Sequence, residues 1–338
     1  MRRVLVPFTI APQAPLVGAA IHSLEGLTMG TTWSVKLVAD ANRSTTTLHA
    51  GIQQQLNSVV AQMSTWEPDS NLSCYNQAAA NTWHEVPDEF LYVLRYALEV
   101  AEASAGAYDP TSGPLVNAWG FGPRTADDLD KQRPDDSTLQ AARARVGWQR
   151  IQLNIAQRRV FQAGGVYLDF SAIAKGFAVD QISRYLLRQG IEHHLVEVGG
   201  ELRGMGIKPD AMPWWVELEQ PLPLQTRHSE LDEAVVALHG WSVATSGDYR
   251  RYFDVDDQHY SHTIDPRSGE PIQHGVAAVT LLHPDCIAAD ALSTALNVMG
   301  VEAGMAFATE RALPARFVVR TDNGFAEHLT PAFQALMQ

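Results

Sequence analysis

Asp290 and Thr294 stand four residues apart in the apolar run IAADALSTALNVMG, residues 287–300. In a helix that spacing puts a carboxylate and a hydroxyl on one face, with Ser293 beside them. Such hard oxygen donors suit Mg2+, which takes few protein groups and keeps positions for water and phosphate oxygens. The same residues also fit a first-turn acid favoured by the helix dipole and a threonine packed in an apolar helix. A second chemistry-bearing stretch is VYLDFSAIAKGFAVD, residues 166–180. An apolar strand over 165–170 would deliver Asp169, and a helix over 171–189, capped by Ser171, would present Lys175. A strand turning into a helix exposes free N–H groups and a positive dipole end, which favours anions. A capped helix with a surface lysine and a solvated aspartate fits equally. The glycine run of a Walker loop is missing.

Three further segments are candidates. Residues 242–265 hold a Ser246-Gly247-Asp248 turn, then Arg250 and Arg251 flanked by Tyr249, Tyr252 and Phe253. His262 is expected on the next strand, three residues before Asp265-Pro266, where it could position a phosphate or accept a hydroxyl proton. A surface hairpin with one of twelve histidines fits too. Residues 107–123, AYDPTSGPLVNAWGFGP, predict an ordered loop whose aromatic faces could sandwich a flat ring, or a rigid turn on the core. Residues 63–76, MSTWEPDSNLSCYN, offer a turn or helix cap at Pro68-Asp69-Ser70 and a tryptophan, Trp66, for core or stacking. Gly199-Gly200 reads as a tight strand-end turn that permits close backbone approach. Its spacing is not that of a Rossmann fingerprint.

The elements that must position these residues are legible as periodicities. Trp33, Val35 and Leu37 alternate as a strand does, and apolar residues over 46–63 recur as on a helix face. Helices are also predicted over 87–106, 137–145, 287–299 and 302–310. Strands are predicted near 150–155, 158–162, 194–198, 213–219, 234–238, 242–246, 259–264, 275–282, 313–320 and 325–329. The polar stretches 124–137 and 221–233 read as loops. Helices and strands interleave without a steady βαβ rhythm, which favours an α+β fold with mixed or antiparallel sheets.

With 25 Lys+Arg against 38 Asp+Glu, the 338-residue chain carries a net charge of −13. No basic excess is available to displace counterions from nucleic acid or to dock on anionic lipid. Two cysteines, Cys74 and Cys286, make neither a disulfide framework nor a four-ligand zinc site. No segment is expected to be apolar enough to span a membrane. Arg2 and Arg3 precede a short apolar run broken by Pro7, Pro12 and Pro15. Residues 1–24 are therefore expected to be a loose extension or an added edge element, and the protein cytoplasmic, or periplasmic if the N-terminus is processed.

In this order, Met29-Gly30-Thr31-Thr32, MSTWEPDSNLSCYN, AYDPTSGPLVNAWGFGP, LDFSAIAKGFAVD, VEVGGEL, SGDYRRYF, HTIDPRSGEP and ADALSTAL resemble the ApbE family of flavin transferases. The resemblance runs from about residue 27 to 300. It implies a single ApbE-like α+β domain over 25–338 and FAD:protein FMN transferase activity. FAD would be split with Mg2+, FMN joined to a Ser or Thr hydroxyl of an acceptor protein, and AMP released. Carried over one by one, Met29, Trp66, Ala107, Tyr108, Asp109, Asp169, Lys175 and Ile272 fall at FAD positions. Ala172, through its carbonyl, and the side chains of Asp290 and Thr294 fall at the metal positions. His262, with Asp290 as the alternative, would take the acceptor proton. Cys74 and Ser293 depart from the usual pattern, and no lipoprotein signal is visible. Two rival functions are an FAD pyrophosphatase giving FMN and AMP, and an FAD-binding protein without turnover. The retained Asp290, Thr294 and His262 argue against the last.

Overall fold

The alternating Trp33, Val35 and Leu37 form the buried face of the strand Thr31–Asp40, second from the edge of an eight-stranded sheet. The computed structural model describes residues 2–6, 16–123, 133–221, 233–248, 252–255, 258–322 and 324–337. Contacts divide the chain into two compact units. One comprises Met1–Ser58, Lys175–Ser246 and Val276–Gln338; the other comprises Val59–Ala174 and Gly247–Gly275.

In the first unit the sheet runs, edge to edge, Gly324–Leu329, Ala315–Thr321, Val276–His283, Trp241–Gly247, Glu201–Met205, His194–Val198, Thr31–Asp40, Ala19–Thr28. A three-stranded sheet sets Arg2–Leu5 parallel to Glu233–Leu238, which pairs antiparallel with Trp214–Glu217. The described part of 1–24 is thus built into sheets, with Ala19 onward forming an edge strand. Two helices matter for the chemistry, Ala174–Arg188 and Cys286–Glu310. The second is interrupted at Gly300, whose φ of 75° and ψ of −174° are open to glycine and costly for other residues. That break corresponds to the two helices expected from sequence. The expectation that no segment is apolar enough to span a membrane does not hold for Cys286–Glu310, whose length and composition suffice. Its buried residues, among them Ile287, Leu296 and Val298, mark it as a core helix of this unit. Behind it Val279, Leu281, Leu296, Ala308 and Phe317 share one apolar cluster.

In the second unit, helices Asn71–Asn76, Asp88–Ala103, Gly113–Ala118 and Asp136–Arg143 accompany a three-stranded sheet and two hairpins. Leu115, Trp119, Leu139, Tyr260 and Ile264 form an apolar cluster. Residues 165–170 are not a strand. Side chains take the place of a neighbouring strand: Asn76 accepts from the Leu168 N–H at 2.7 Å and donates to its carbonyl at 2.9 Å. Gln162 does the same for Val166, at 3.1 Å each way. The expected helix from Ser171 begins at Ala174, because residues 170–174 make a tight turn in which Ala174 N–H donates to Phe170 O at 2.8 Å. The predicted loops at 124–137 and 221–233 lie largely outside the described residues, as do Tyr249, Arg250 and Arg251.

Candidate active site

The first unit gathers Lys175, Glu201, Asp290, Ser293 and Thr294. Gly176 sits where the Ala174–Arg188 helix crosses the Cys286–Glu310 helix. A Cβ there would strike the Cys286 carbonyl and come within 2.7 Å of the Asp290 Cβ, so only glycine permits this approach. Its N–H, an orphan donor of the first helical turn, donates to Asp290 Oδ2 at 2.9 Å. Asp290 Oδ1 takes no hydrogen bond among the described residues, although the side chain is only 3% exposed. Lys175, one residue earlier, forms an ion pair with Glu201 Oε1. Glu201 follows the left-handed Gly199 and Gly200 and is buried, and its Oε2 has no partner among the described residues.

The electrostatics follow from burial. Burial disfavours the Lys175 ammonium, but Glu201 and Asp290 outweigh it and push its pKa up. Burial pushes the Glu201 carboxyl up; Lys175 opposes the shift and Asp290 adds to it. Burial also raises Asp290, against the pull of Lys175 and the Gly176 N–H. Two carboxylates thus share one ammonium in a dry place, which favours a further cation.

Thr294 lies on the same face as Asp290, one turn on. Ser246, at the end of strand Trp241–Gly247, bonds Thr294 Oγ1 at 2.8 Å and Ser293 Oγ at 2.9 Å. The donors around Asp290 are carboxylate and hydroxyl oxygens, the set a hard divalent cation prefers. No group of three or more His, Cys, Asp or Glu with metal-holding geometry occurs among the described residues. A cation here would complete its shell with carbonyls, water and substrate oxygens, as Mg2+ does. By that donor chemistry the residues fit Mg2+.

Met29 is in the same unit, at the tip of the hairpin Ala19–Thr28/Thr31–Asp40. Its φ is 48° and that of Gly30 is 70°, the left-handed pair that a two-residue turn demands. The hollow here measures about 510 Å3 and is lined by residues 27–32. A comparable hollow, about 520 Å3, lies against Gly200 and Thr245, and none of the predicted residues lines it.

The second unit holds the other predicted residues. Trp66 is 59% exposed. It sits on a turn tied by Ser64, whose Oγ accepts from Trp66 N–H at 3.1 Å and whose carbonyl accepts from Ser70 Oγ at 2.6 Å. That leaves an indole face open for stacking. Ala107, Tyr108 and Asp109 are buried. Asp109 is occupied in holding its own loop: Oδ1 accepts from Thr111 N–H at 2.7 Å and Thr111 Oγ1 at 2.6 Å, and Oδ2 from Trp148 N–H at 3.1 Å. Burial raises its pKa, while these bonds hold it down. Asp169 is brought to this loop, its N–H donating to Pro110 O at 2.8 Å and its Oδ1 accepting from Ser171 N–H at 2.8 Å. Ala172 follows in the turn before the helix, three residues ahead of Lys175. His262 lies just beyond strand Gln258–Ser261, not on it, with its ring 6.2 Å from that of Phe121. The hairpin Ile264–Asp265/Glu270–Pro271 returns Ile272 to the same place, where its N–H donates to Thr263 O at 3.0 Å. Asp265 clamps the turn through three bonds to Arg267, each 2.9 Å.

Sequence reasoning missed Glu201, Ser246 and Gly176 as site residues. The Gly199-Gly200 pair signalled the first of these. Ser246 carries only a turn signal in the sequence.

A family model described as "ApbE family" matches residues 29–317. A Vibrio cholerae protein named FAD:protein FMN transferase is 39% identical over 317 residues, covering 93% of this chain and 92% of its own length. A Haemophilus influenzae protein of the same name is 38% identical, over 94% and 92%. The apo form of a Pseudomonas stutzeri flavinyl transferase superposes with a TM-score of 0.86 at 37% identity, over 96% of this chain and 98% of that one. A Vibrio cholerae flavin transferase gives 0.84 at 38%, over 94% and 99%.

Proposed function

We infer, for a chain that belongs to the ApbE family, the reaction its relatives are named for: it moves FMN from FAD onto a protein. The observation that carries this is the 39% identity over 93% of the chain to a protein of that name. We take the acceptor to be a Ser or Thr hydroxyl. Its oxygen bonds to the FMN phosphorus, the bond from that phosphorus to the bridging oxygen breaks, and AMP leaves with that oxygen. His262 takes the hydroxyl proton.

Asp290 and Thr294 would hold Mg2+, which when bound neutralises charge on the diphosphate as AMP departs. The arrangement around Asp290 supports this role, since Oδ1 is left without a hydrogen bond while Oδ2 is anchored by Gly176. Lys175 adds fixed positive charge for the phosphates. In the second unit Trp66 offers a face for the flavin or adenine ring, and Ala107, Tyr108, Asp169 and Ile272 shape its seat. Asp109 acts by keeping the 107–111 loop rigid.

The test is an incubation of the purified chain with FAD, MgCl2 and candidate acceptor proteins, read by in-gel flavin fluorescence and AMP release. A fluorescent acceptor band with equivalent AMP is the expected result. AMP without labelling indicates a pyrophosphatase, and neither product indicates binding alone; either outcome overturns the reading.

A further inference from the structure

The Cys286–Glu310 helix carries Asp290 one turn inside its N-terminus, where amides have no helical partner. Its N-cap residue, Asp285, makes no side-chain cap. The cap comes from another element. Asp180, on the Ala174–Arg188 helix, accepts from Cys286 N–H through Oδ1 at 3.1 Å and from Ile287 N–H through Oδ2 at 3.0 Å. One buried carboxylate thus serves two consecutive amides at the positive end of the helix dipole. Arg203, on strand Glu201–Met205, locks that carboxylate by donating to Asp180 Oδ1 at 3.1 Å, to Ser242 Oγ at 3.3 Å and to the Pro284 carbonyl. Ser242 donates to the same carbonyl at 3.3 Å.

The second tie, Gly176 N–H to Asp290 Oδ2, lies one turn later on the Cys286–Glu310 helix and one turn earlier on the Ala174–Arg188 helix. Residues 176 and 180 on one helix thus hold residues 290 and 286–287 on the other. Two ties a turn apart set both the sliding and the rotation of the helix pair, and hence the direction of the open Asp290 Oδ1. Asp180 and Arg203 have no hydrogen bond to Asp290 or Thr294.

We propose that Asp180 and Arg203 are positioning residues that hold Asp290 and Thr294 in cation-binding register. The inference rests on the reading of those two residues as cation ligands. Groups that orient ligands from behind characteristically change metal affinity 10- to 100-fold when removed, about the size expected here.

The experiment is calorimetric titration of Mg2+ into the full chain, with thermal unfolding and the Mg2+ dependence of FMN transfer measured in parallel. The variants are Asp180→Asn, Arg203→Met, Asp290→Asn and Ile182→Ala, the last a buried apolar control on the same helix. Asp180→Asn and Arg203→Met are expected to weaken Mg2+ about tenfold or more, with turnover at saturating Mg2+ within about threefold of wild type. Ile182→Ala is expected to lower the melting temperature and leave Mg2+ affinity unchanged. Wild-type affinity in Asp180→Asn and Arg203→Met overturns the proposal, as does equal weakening in Ile182→Ala. Should Asp180→Asn not fold, Arg203→Met decides alone. If wild type binds no Mg2+, or Asp290→Asn binds as wild type does, the cation reading fails and takes the proposal with it. If Asp290→Asn loses binding while the other two keep it, only the proposal fails.

Discussion

Lys175 faces two carboxylates and is paired with one of them. Its ion pair with Glu201 is largely withdrawn from water, and Asp290 adds to the field that keeps the ammonium charged. Removing one member of such a group leaves charge uncompensated in a dry place, a loss of roughly 3 kcal/mol or more. Lys175→Met is therefore expected to be markedly less stable than wild type, and Glu201→Gln added to it to restore part of the loss. Urea unfolding of the two single variants and the double variant measures this; additive effects would show that the pair is not coupled. His194 makes a separate prediction. It is fully buried between Ser183 Oγ, 2.8 Å from Nε2, and the Ile191 carbonyl, and burial pushes its pKa from 6.5 down to about 4. Between those two values the unfolded chain binds a proton that the folded chain refuses, so stability is lost as pH falls from 6.5 toward 4. From pH 7 to pH 5 the loss from this one group is roughly 2 kcal/mol. Denaturation of wild type and His194→Asn at the two pH values checks it: the wild type loses more, and equal losses contradict the assignment.

At the scale of elements, the Cys286–Glu310 helix shows what periodicity reveals and what it hides. Asp290 and Thr294 were legible as one face, and Gly300 as a break between two helices. Gly176 as a crossing point was not, because nothing local in its neighbours marks a second helix 110 residues away. Residues 165–170 read as a strand by composition, yet their hydrogen bonds come from side chains, those of Gln162 four residues before Val166 and of Asn76, 92 residues from Leu168, and composition does not encode either. Asn297 carries no local signal either. It lies seven residues beyond Asp290, fully buried, with neither carboxamide atom hydrogen-bonded among the described residues. An unsatisfied buried amide costs about 1–3 kcal/mol, and an apolar group of the same shape avoids that cost. Asn297→Leu is expected to raise the melting temperature by several degrees in differential scanning calorimetry, and a lowered value would show that the amide has a partner.

At the scale of the molecule, the α+β class and its mixed and antiparallel sheets were legible from the order of periodic segments. The eight-stranded order was not, because neighbours such as His194–Val198 and Thr31–Asp40 are far apart in sequence. A net charge of −13 surrounds a reaction on an anionic dinucleotide, so attraction must come from local groups rather than the overall field. Lys175 is already balanced by Glu201 and Asp290, so a cation on the open Asp290 oxygen would have to supply that attraction. Intact-mass spectrometry of an acceptor protein after incubation with FAD, MgCl2 and either wild type or Asp290→Asn tests FMN transfer and its dependence on Asp290 together. Wild type is expected to add the mass of one FMN less one water, and the variant to add none, as transfer through an Asp290-bound cation requires. An acceptor left unmodified by wild type, or modified equally by the variant, would contradict it.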